Sequence, residues 1–337
     1  METLNWGIIG TGYMASQFAT LVAKNPQHCA TSVFSRTKLS GLNFSTNFGV
    51  SYWYKDLSGF LENGNFDAVY IATPHNSHFS FSKESLLNGK AVLCEKPINF
   101  SLEEFEVIRQ ISSQQKTLMM EGLGLIFNPL VQEMFKAVRK EVIGEITRIE
   151  TRFAKNYNLT VGNRLTDSLL DGGALNEMAS YSLALSHFIL GEPIDFCLDS
   201  CITYKEVDIA STYLLKFPLN REMLIECSFI SDKSSIAKIF GKDGHITISH
   251  PFYSPTEIVI YPNGSTPIQM QLPQNSKSSL GYTIDAFAKS FFLSELQNDY
   301  LTLKDSMQIG VQLHRLRADA RDNSITRAID TPPTRNT

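Results

Sequence analysis

The sequence predicts a doubly wound α/β domain followed by an α+β domain with a large open, mainly antiparallel sheet. Three observations support this fold class. Short apolar runs alternate with amphipathic stretches from Leu4 to about Leu123, the first run ends in the turn GTGYMA, and longer alternating segments follow after about Glu145. Alternating strands and helices indicate a parallel sheet covered on both faces, whereas consecutive strands joined by short polar turns favour an antiparallel sheet.

The composition is that of a mildly acidic globular protein. The 337 residues exceed one ordinary domain, and they include 43% hydrophobic and 19% charged residues with a net charge of −4. These values exclude a disordered chain, a coiled coil and a polybasic nucleic-acid binder. The 5 cysteines are odd in number and never spaced as Cys-x-x-Cys, and METLNWGIIG lacks a positive leader. We therefore expect a cytoplasmic protein with reduced thiols and no membrane partner.

The first domain is predicted to span residues 1–123. Ser101 and Glu104 form a capping-box pattern, and Gly89 follows a helix before the strand AVLC, so local signals agree with the alternation. The expected strands are LNWGII, ATSVFS, DAVYIA, AVLC and TLMMEGL, and the expected helices are GYMASQFATLVAK, SKESLLNGK and SLEEFEVIRQ.

The second domain is predicted to span residues 124–337. Asn128-Pro129 opens the helix NPLVQEMFKAVRK, because Asn caps well and proline is tolerated at the first helical position. Two further helices are expected near 284–296 and 304–321, and the sequence leaves open whether the terminal helix packs back on the first domain. The expected strands include EITRIETRFAK, STYLLKFPL, EMLIECSFI, KIFGKDGHITI and TEIVIYP.

The turn GTGYMA lies between a strand and a helix, which is the context that a Rossmann dinucleotide fingerprint requires. Gly10 permits a tight turn, Gly12 lets backbone amides approach a pyrophosphate, and Ala15 is small enough for the helix to pack on the strand. The alternative is a glycine turn without a ligand. The cofactor-binding residues predicted here are Gly10, Thr11, Gly12, Tyr13 and Met14.

The second strand ends in Ser35-Arg36-Thr37. A site for a dinucleotide with a free ribose 2′-hydroxyl is expected to have a carboxylate at this position. Hydroxyl and guanidinium groups suit a 2′-phosphate, so NADP is preferred and NAD remains possible. The alternative is that Arg36 is a solvated loop arginine.

Ligands of a doubly wound sheet gather beyond the carboxyl ends of its strands. Burying a glutamate and a lysine at a strand end is costly unless the charges are paired or bind a ligand. Lys96 should therefore face a polar group, which is either Glu95 in a structural ion pair or a ligand. His-x-x-His without a second ligand pair predicts no metal, and the histidines bind loop backbone or line the nicotinamide pocket. The cofactor residues predicted here are Thr73, Pro74, His75, Asn76, His78, Glu95 and Lys96.

The segment DGGALNEMASYSLAL has helical periodicity and carries Glu177 and Tyr181 four residues apart, about 40° from each other on one face. Gly172-Gly173 at its start should leave backbone amides accessible near the positive end of the helix dipole. Taken alone, Tyr181 is more typical of a core tyrosine than of a catalytic one. The inward face is predicted to hold Leu175, Met178, Ser182 and Leu185.

Together GTGYMA, DAVYIATPHNSH, GKAVLCEKP and the GGAL…Y helix resemble the Gfo/Idh/MocA oxidoreductases over nearly the whole chain. Ser35-Arg36, Arg164-Leu165 and GKDGHITISHPFYSPTEI are similar to the branch with dimeric dihydrodiol dehydrogenase and NADP-dependent D-xylose dehydrogenase. The resemblance implies an N-terminal Rossmann domain and a C-terminal domain whose open sheet makes oligomer contacts. A homodimer or homotetramer is therefore expected.

In that family a lysine of the EKP turn and a histidine or tyrosine of the later helix flank the reacting carbon. Lys96 and Tyr181 match these positions, so the resemblance implies that Tyr181 takes a hydroxyl proton while Lys96 orients the oxygen. The predicted catalytic residues are Lys96, Tyr181 and Glu177. The predicted substrate-binding residues are Lys96, Arg164, Tyr181 and Asn156, the last from its position alone.

The sequence departs from the family pattern at three positions. Glu177 replaces an aspartate, Ala179 replaces a glycine, and Ile126 stands where an arginine often precedes Phe-x-Pro. We predict an NADP-preferring dehydrogenase or reductase that acts on a CH–OH group of a sugar, polyol or cyclic diol. The departures keep open a non-catalytic nucleotide-binding regulator on the same fold.

Overall fold

The computed structural model describes residues 2–159, 163–323 and 326–331, and the chain forms two compact units. The first unit contains Met1–Gly122 and Leu280–Met307, and the second contains Leu123–Ser279 and Gln308–Thr337. In the described parts of the chain, every helix is too short or too polar to cross a membrane.

The first unit contains a six-stranded parallel sheet with the order β3-β2-β1-β4-β5-β6. Its strands are β1 Leu4–Ile9, β2 His28–Phe34, β3 Tyr52–Tyr54, β4 Ala68–Ile71, β5 Ala91–Glu95 and β6 Met119–Gly122. Its early helices are α1 Tyr13–Ala23, α2 Lys38–Phe48, α3 Leu57–Asn63, α4 His78–Leu87 and α5 Leu102–Gln115. The strand order reverses between β1 and β4, which is where a doubly wound sheet binds its ligand. The predicted doubly wound sheet is therefore confirmed.

Aromatic rings fill the core of the first unit. Trp6 on β1 is fully buried, contacts Phe18 edge-on with ring centroids 5.0 Å apart, and donates from Nε1 to His28 Nδ1 at 3.1 Å. Phe18 in turn stacks on Tyr70 of β4 at 3.9 Å. These contacts hold α1 against the two central strands, which places the glycine turn at their carboxyl ends.

The second unit contains a nine-stranded mixed sheet with the order β14-β13-β12-β11-β7-β10-β9-β8-β15. Its strands are β7 Ile146–Ala154, β8 Asp195–Tyr204, β9 Val207–Phe217, β10 Arg221–Ser228, β11 Ile236–Gly241, β12 Gly244–Ile248, β13 Glu257–Pro262, β14 Ile268–Gln271 and β15 Thr326–Ala328. Its helices are α6 Pro129–Arg139, α7 Ser180–Leu190 and most of α9 Leu303–Asp322, whereas α8 Ser279–Phe292 belongs almost entirely to the first unit. The β7–β10 and β8–β15 pairs are parallel and the others are antiparallel, so the prediction of a mainly antiparallel sheet is confirmed.

Charged side chains alternate with buried ones along the central strands of this sheet. Ile149 and Ile225 are fully buried, whereas Arg148 on β7 forms ion pairs with Glu150 and with Glu222 on β10. This period of two is expected for a sheet that packs one face against helices and leaves the other outside the core.

Candidate active site

The glycine turn has the backbone geometry that a dinucleotide requires. Gly10 has φ +108°, and a Cβ there would lie 2.5 Å from the Ala72 carbonyl oxygen, so only glycine fits. A Cβ at Gly12 would meet nothing within 4 Å, and Gly12 caps α1 without a side-chain hydrogen bond. Ala15 is fully buried, as its predicted packing role requires. The open backbone beside the first turn of α1 fits the pyrophosphate of a dinucleotide.

The turn after β2 presents one cation, Arg36, that has no partner among the described residues. Ser35 is buried and donates to the Thr37 carbonyl oxygen at 3.2 Å, while Thr37 caps α2 by accepting from the Ser40 amide. Arg36 is exposed and makes no hydrogen bond or ion pair with the described residues. The first turn of α2 contains no acidic residue. Of the three predicted 2′-phosphate ligands, Arg36 is therefore the one that is free to bind an anion.

His78 connects the two loops that follow β4 and β5. It is fully buried, its Nε2 lies 3.0 Å from the Thr73 carbonyl oxygen, and its Nδ1 lies 3.0 Å from the Pro97 carbonyl oxygen. The Ser77 hydroxyl donates to Thr73 Oγ1 at 2.8 Å, which tightens the same loop. The interpretation that His78 binds loop backbone agrees with this geometry, and its ring fixes the EKP turn relative to the first loop.

The other predicted residues of this loop differ in exposure. His75 is buried and its ring centroid lies 5.6 Å from that of His78, whereas Asn76 is exposed. Pro74 precedes the short 3-10 turn His75–Ser77 and accepts from the Ser77 amide at 3.1 Å. Among the described residues there is no group of three or more His, Cys, Asp or Glu side chains that could hold a metal ion.

Lys96 follows directly on the buried end of β5. Glu95, expected in the turn, is instead the last residue of the strand, and its Oε1 accepts from the Tyr70 hydroxyl at 2.5 Å. Lys96 is half-buried, precedes a cis peptide bond to Pro97, and lies close enough to Glu121 to lower the pKa of that carboxyl. The ammonium of Lys96 is therefore held at a strand end that also carries two buried carboxyl groups.

The segment DGGALNEMASYSLAL differs from the single α-helix that its periodicity predicts. Leu175–Ala179 form a π-helical turn, and α7 begins only at Ser180. The angle of about 40° between Glu177 and Tyr181 assumed α-helical geometry and does not hold across this turn. The prediction of the inward face agrees with the structure. Four residues of that face are buried: Leu175, Met178, Ser182 and Leu185.

The backbone amides at the start of this segment are not accessible, so that prediction is wrong. The Gly172 amide donates to the Asp167 carbonyl oxygen and the Gly173 amide to the Leu165 carbonyl oxygen, both at 2.9 Å. The Leu175 amide donates to Asp208 Oδ2 at 2.8 Å. The chain itself thus satisfies these donors, and no ligand can use them without displacing a protein acceptor.

Three predicted substrate-side residues have protein partners. Arg164 contacts both carboxylate oxygens of Glu177, at 3.1 and 3.3 Å, and Asn156 donates to Asp232 Oδ2 at 3.0 Å. The Arg164 side chain is 50% exposed and that of Glu177 only 17%. The structure therefore brings Arg164 and Glu177 together and holds Asn156 in a separate hydrogen bond.

Tyr181 lies in a cluster of aromatic rings in the second unit. Its ring centroid is 5.9 Å from that of Phe153 and 5.6 Å from that of Tyr253, and the latter two rings stack at 4.3 Å. Tyr181 as a whole is half-buried. Nothing in the local sequence around Phe153 or Tyr253 connects these residues with Tyr181, so the sequence does not predict the cluster.

Two family models match this chain. An NAD-binding Rossmann-fold model of an oxidoreductase family matches residues 4–123, and a GFO/IDH/MocA C-terminal domain model matches residues 131–247. The chain therefore belongs to the Gfo/Idh/MocA oxidoreductases, and it is an NAD(P)-dependent oxidoreductase with a Rossmann domain that binds the dinucleotide. The resemblance on which the sequence analysis relied is confirmed.

Two relatives indicate the range of the family around this chain. Trans-1,2-dihydrobenzene-1,2-diol dehydrogenase from Bos taurus is 26% identical over 261 residues, which are 76% of this chain and 77% of the relative. The scyllo-inositol 2-dehydrogenase (NADP(+)) IolU from Bacillus subtilis is 24% identical over 310 residues, with 90% and 93% coverage.

Solved structures share the same fold over nearly the full length. The 3-ketoreductase KijD10 from Actinomadura kijaniata, in complex with NADP and TDP-benzene, matches with a TM-score of 0.82 and 20% identity, covering 98% of this chain and 100% of its own. The aldose-aldose oxidoreductase from Caulobacter crescentus, complexed with glycerol, matches with a TM-score of 0.83 and 19% identity, covering 95% and 98%. At these identities the likeness shows the fold.

The π-helical turn depends on Asp208, and this dependence can be tested. Asp208 on β9 is 9% exposed and accepts from the Leu175 amide and from the Ser211 hydroxyl. Asp208→Ala removes the acceptor of the Leu175 amide and leaves the Ser211 hydroxyl with its weaker acceptor, Cys201 Sγ at 3.5 Å. We expect Asp208→Ala to lower the free energy of unfolding by about 2–4 kcal/mol and to speed hydrogen exchange in residues 171–181. Denaturant titration and exchange mass spectrometry measure these two quantities.

Asp208→Asn is the matched control, because it keeps an acceptor of the same size. Burial raises the pKa of Asp208 while the Leu175 amide and Ser211 lower it, so a neutral amide should be tolerated with a smaller loss. Equal effects of the alanine and asparagine variants would show that the capping bond does not support the turn.

Proposed function

We propose that this oxidoreductase prefers NADP and transfers a hydride between the nicotinamide and a CH–OH carbon of a sugar, polyol or cyclic diol. The observation that carries the proposal is the placement of Lys96 at the end of β5, in the same sheet edge as the glycine turn. The substrate class is supported by the relatives, whose names specify a dihydrodiol and an inositol as substrates.

The preference for NADP is proposed from the turn after β2. Arg36 is exposed, has no acidic partner among the described residues, and follows a buried serine rather than a carboxylate. A guanidinium can bind a phosphate through two parallel hydrogen bonds, whereas a carboxylate at this position would repel the phosphate. NAD remains the alternative cofactor.

In the proposed reaction the nicotinamide supplies the hydride chemistry and the protein manages the proton and the developing charge. Tyr181 takes the hydroxyl proton of the secondary alcohol as its carbon loses hydride, which leaves a carbonyl group. Lys96 donates a hydrogen bond to the reacting oxygen and stabilises its negative charge. Glu177, held by Arg164, is proposed to orient substrate hydroxyl groups, and Asn156 contributes a further polar contact.

The nine-stranded sheet is proposed to make homodimer or homotetramer contacts. Its central strands carry half-buried ion pairs, Arg148 with Glu222 and Arg152 with Glu226, on the face that the core leaves uncovered. We also propose a cytoplasmic location, because all five cysteines are free thiols, three of them buried.

A nucleotide-binding regulator without turnover is the second candidate. Ile126, which stands where the family often has an arginine, is fully buried and supplies no cation to a substrate, and Ala179 is buried in the π-helical turn. These observations favour a protein that keeps the dinucleotide-binding domain but whose substrate site is lost or altered.

A substrate screen separates the two candidates. Aldoses, polyols and cyclic diols should be tested with NADP and with NAD, while reduced cofactor is followed by fluorescence. We expect oxidation of at least one compound with NADP. Tight cofactor binding without turnover of any compound in either direction would contradict the enzyme and support the regulator.

The role of Arg36 can be tested by cofactor affinity. Arg36→Gln removes the charge proposed to meet the 2′-phosphate, so the Kd of NADP should rise about tenfold or more while the Kd of NAD stays within about twofold. Arg109→Gln is the matched control, because Arg109 is a surface arginine of the same unit that pairs with Glu106. Equal losses for both cofactors in the Arg36 variant would contradict a 2′-phosphate contact.

The role of Tyr181 can be tested by removing one oxygen atom. Tyr181→Phe should lower kcat by roughly 10²-fold or more with NADP affinity unchanged, because the ring remains while the proton acceptor is lost. Tyr253→Phe removes a hydroxyl from the neighbouring ring of the same cluster and should change kcat less than tenfold. The reverse ranking would assign the proton transfer to Tyr253.

A further inference from the structure

Glu121 is a buried acid to which neither the proposed reaction nor the cofactor gives a role. It lies on β6 and is only 3% exposed, within the strand segment MMEG, whose residues are all buried. Its Oε1 accepts from the Ile98 amide at 3.0 Å, two residues beyond Lys96. Its Oε2 is buried and has no hydrogen-bond partner in the described ranges of the chain. An ionised carboxylate in such a place is costly, so the group should hold a proton or face a cation.

The groups around Glu121 come from neighbouring strands and from α9. Cys94 on β5 is opposite Glu121 in the sheet, and Glu95 is opposite Gly122, where an added Cβ would lie 3.5 Å from Glu95 Oε1. The titratable and polar groups that bear on Glu121 are Cys94 and Glu95 from β5, Lys96 directly after β5, Tyr70 from β4 through its bond to Glu95, and the Ser306 hydroxyl from α9.

These neighbours act on Glu121 in opposite directions. Together they raise the pKa of Glu121 to about 7: burial, the largest cause, and the charge of Glu95 raise it, while the Ser306 hydroxyl, the Ile98 amide and Lys96 lower it. With Glu121 protonated, the charges of Lys96 and Glu95 cancel. With Glu121 ionised, the cluster of Lys96, Glu95 and Glu121 has a net charge of −1.

We propose that Glu121 is a positioning residue for Lys96, acting as a buried acid whose proton sets the net charge of the cluster that Lys96, Glu95 and Glu121 form. Its protonated carboxyl adds no negative charge beside the Lys96 ammonium. The ammonium then interacts more strongly with an oxygen on which negative charge develops. After the proton leaves, the second carboxylate competes for the same ammonium.

The coupling between Glu121 and Lys96 can be measured without any activity. The folded-state pKa of Glu121 lies above its ordinary value of 4.5, so its contribution to stability is full below about pH 4.5 and is lost as the pH rises through about 7. From pH 5 to pH 9 the folding equilibrium constant should therefore fall roughly 10²-fold more in the wild-type protein than in Glu121→Gln.

Glu106→Gln is the matched control for this stability series. An adjacent hydrogen bond from Arg109 lowers the pKa of Glu106 to about 2, so that group does not titrate between pH 5 and pH 9. Glu106→Gln should keep the wild-type dependence of folding stability on pH. If Glu121→Gln showed the same dependence of stability on pH as the wild-type protein, the proposal would be overturned, because the proton lost between pH 5 and pH 9 would then belong to another group.

Two further variants test the coupling and cover the case in which Glu121→Gln fails to fold. Lys96→Met removes a charge that favours the carboxylate, and Ser306→Ala removes a hydroxyl that does the same, so each should move the loss of stability to higher pH. In the double variant Lys96→Met with Glu121→Gln, the loss of stability with rising pH should be absent. An unchanged transition pH in both single variants would overturn the proposal.

The expected effect on activity rests on the proposed function and is tested in a separate experiment. The ratio of kcat/KM between Glu121→Gln and the wild-type protein should be near one below pH 6 and should rise to roughly tenfold above pH 8, because only the wild-type cluster gains a charge. A flat ratio alongside the expected stability series would contradict the effect on Lys96. An absence of turnover in both proteins would contradict the proposed function and leave the stability series to decide on the coupling.

Discussion

The hydrogen bond from the Tyr70 hydroxyl to the Glu95 carboxylate is the interaction on which the proposed site depends. Glu95 ends a strand inside a parallel sheet, where a carboxylate without a donor would destabilise the fold. Tyr70 is itself fixed by stacking on Phe18 of α1, so the strand end, the helix of the glycine turn and Lys96 share one rigid frame. His78 extends this frame, because its ring lies between the carbonyl oxygens of Thr73 and Pro97.

A comparable constraint acts in the second unit. Asp208 accepts from the Leu175 amide, and Arg317 of α9 contacts Asp171 Oδ1 at 2.8 Å, so a buried acid and a buried cation hold the segment that enters the π-helical turn before Tyr181. A π-helical turn has poorer backbone hydrogen bonding than an α-helix and persists where other contacts favour it. The amides that a regular helix would offer to a ligand are used here to hold the turn, so the positive end of a helix dipole cannot be the basis of substrate binding.

The sequence predicts those features that depend on neighbours along the chain. Strand-helix alternation, the capping box of Ser101 and Glu104 and the glycine turn are all local, and the structure contains them. The bond of Asp208 to Leu175 and the ring of Tyr253 beside Tyr181 join residues 33 and more positions apart, so periodicity does not reveal them. The π-helical turn is local, but the contact of Asp208 with its first residue is not. One signal was available: a single acid in a buried strand, as in LMMEGL and VDIAS, indicates a partner elsewhere in the fold.

Under the proposed function, the departures from the family pattern bear on the substrate through Arg164. Glu177 is one methylene longer than the aspartate usual in the family, and its carboxylate binds the Arg164 guanidinium with both oxygens. A guanidinium bound in this way is already neutralised, so a carboxylate or phosphate of a substrate would have to displace Glu177 and leave it as a mostly buried, unpaired charge. Ile126 is buried and apolar, so it too supplies no cation to a substrate. Neutral polyhydroxylated compounds, whose hydroxyl groups both donate and accept, suit an ion pair of this kind better than acidic sugars do.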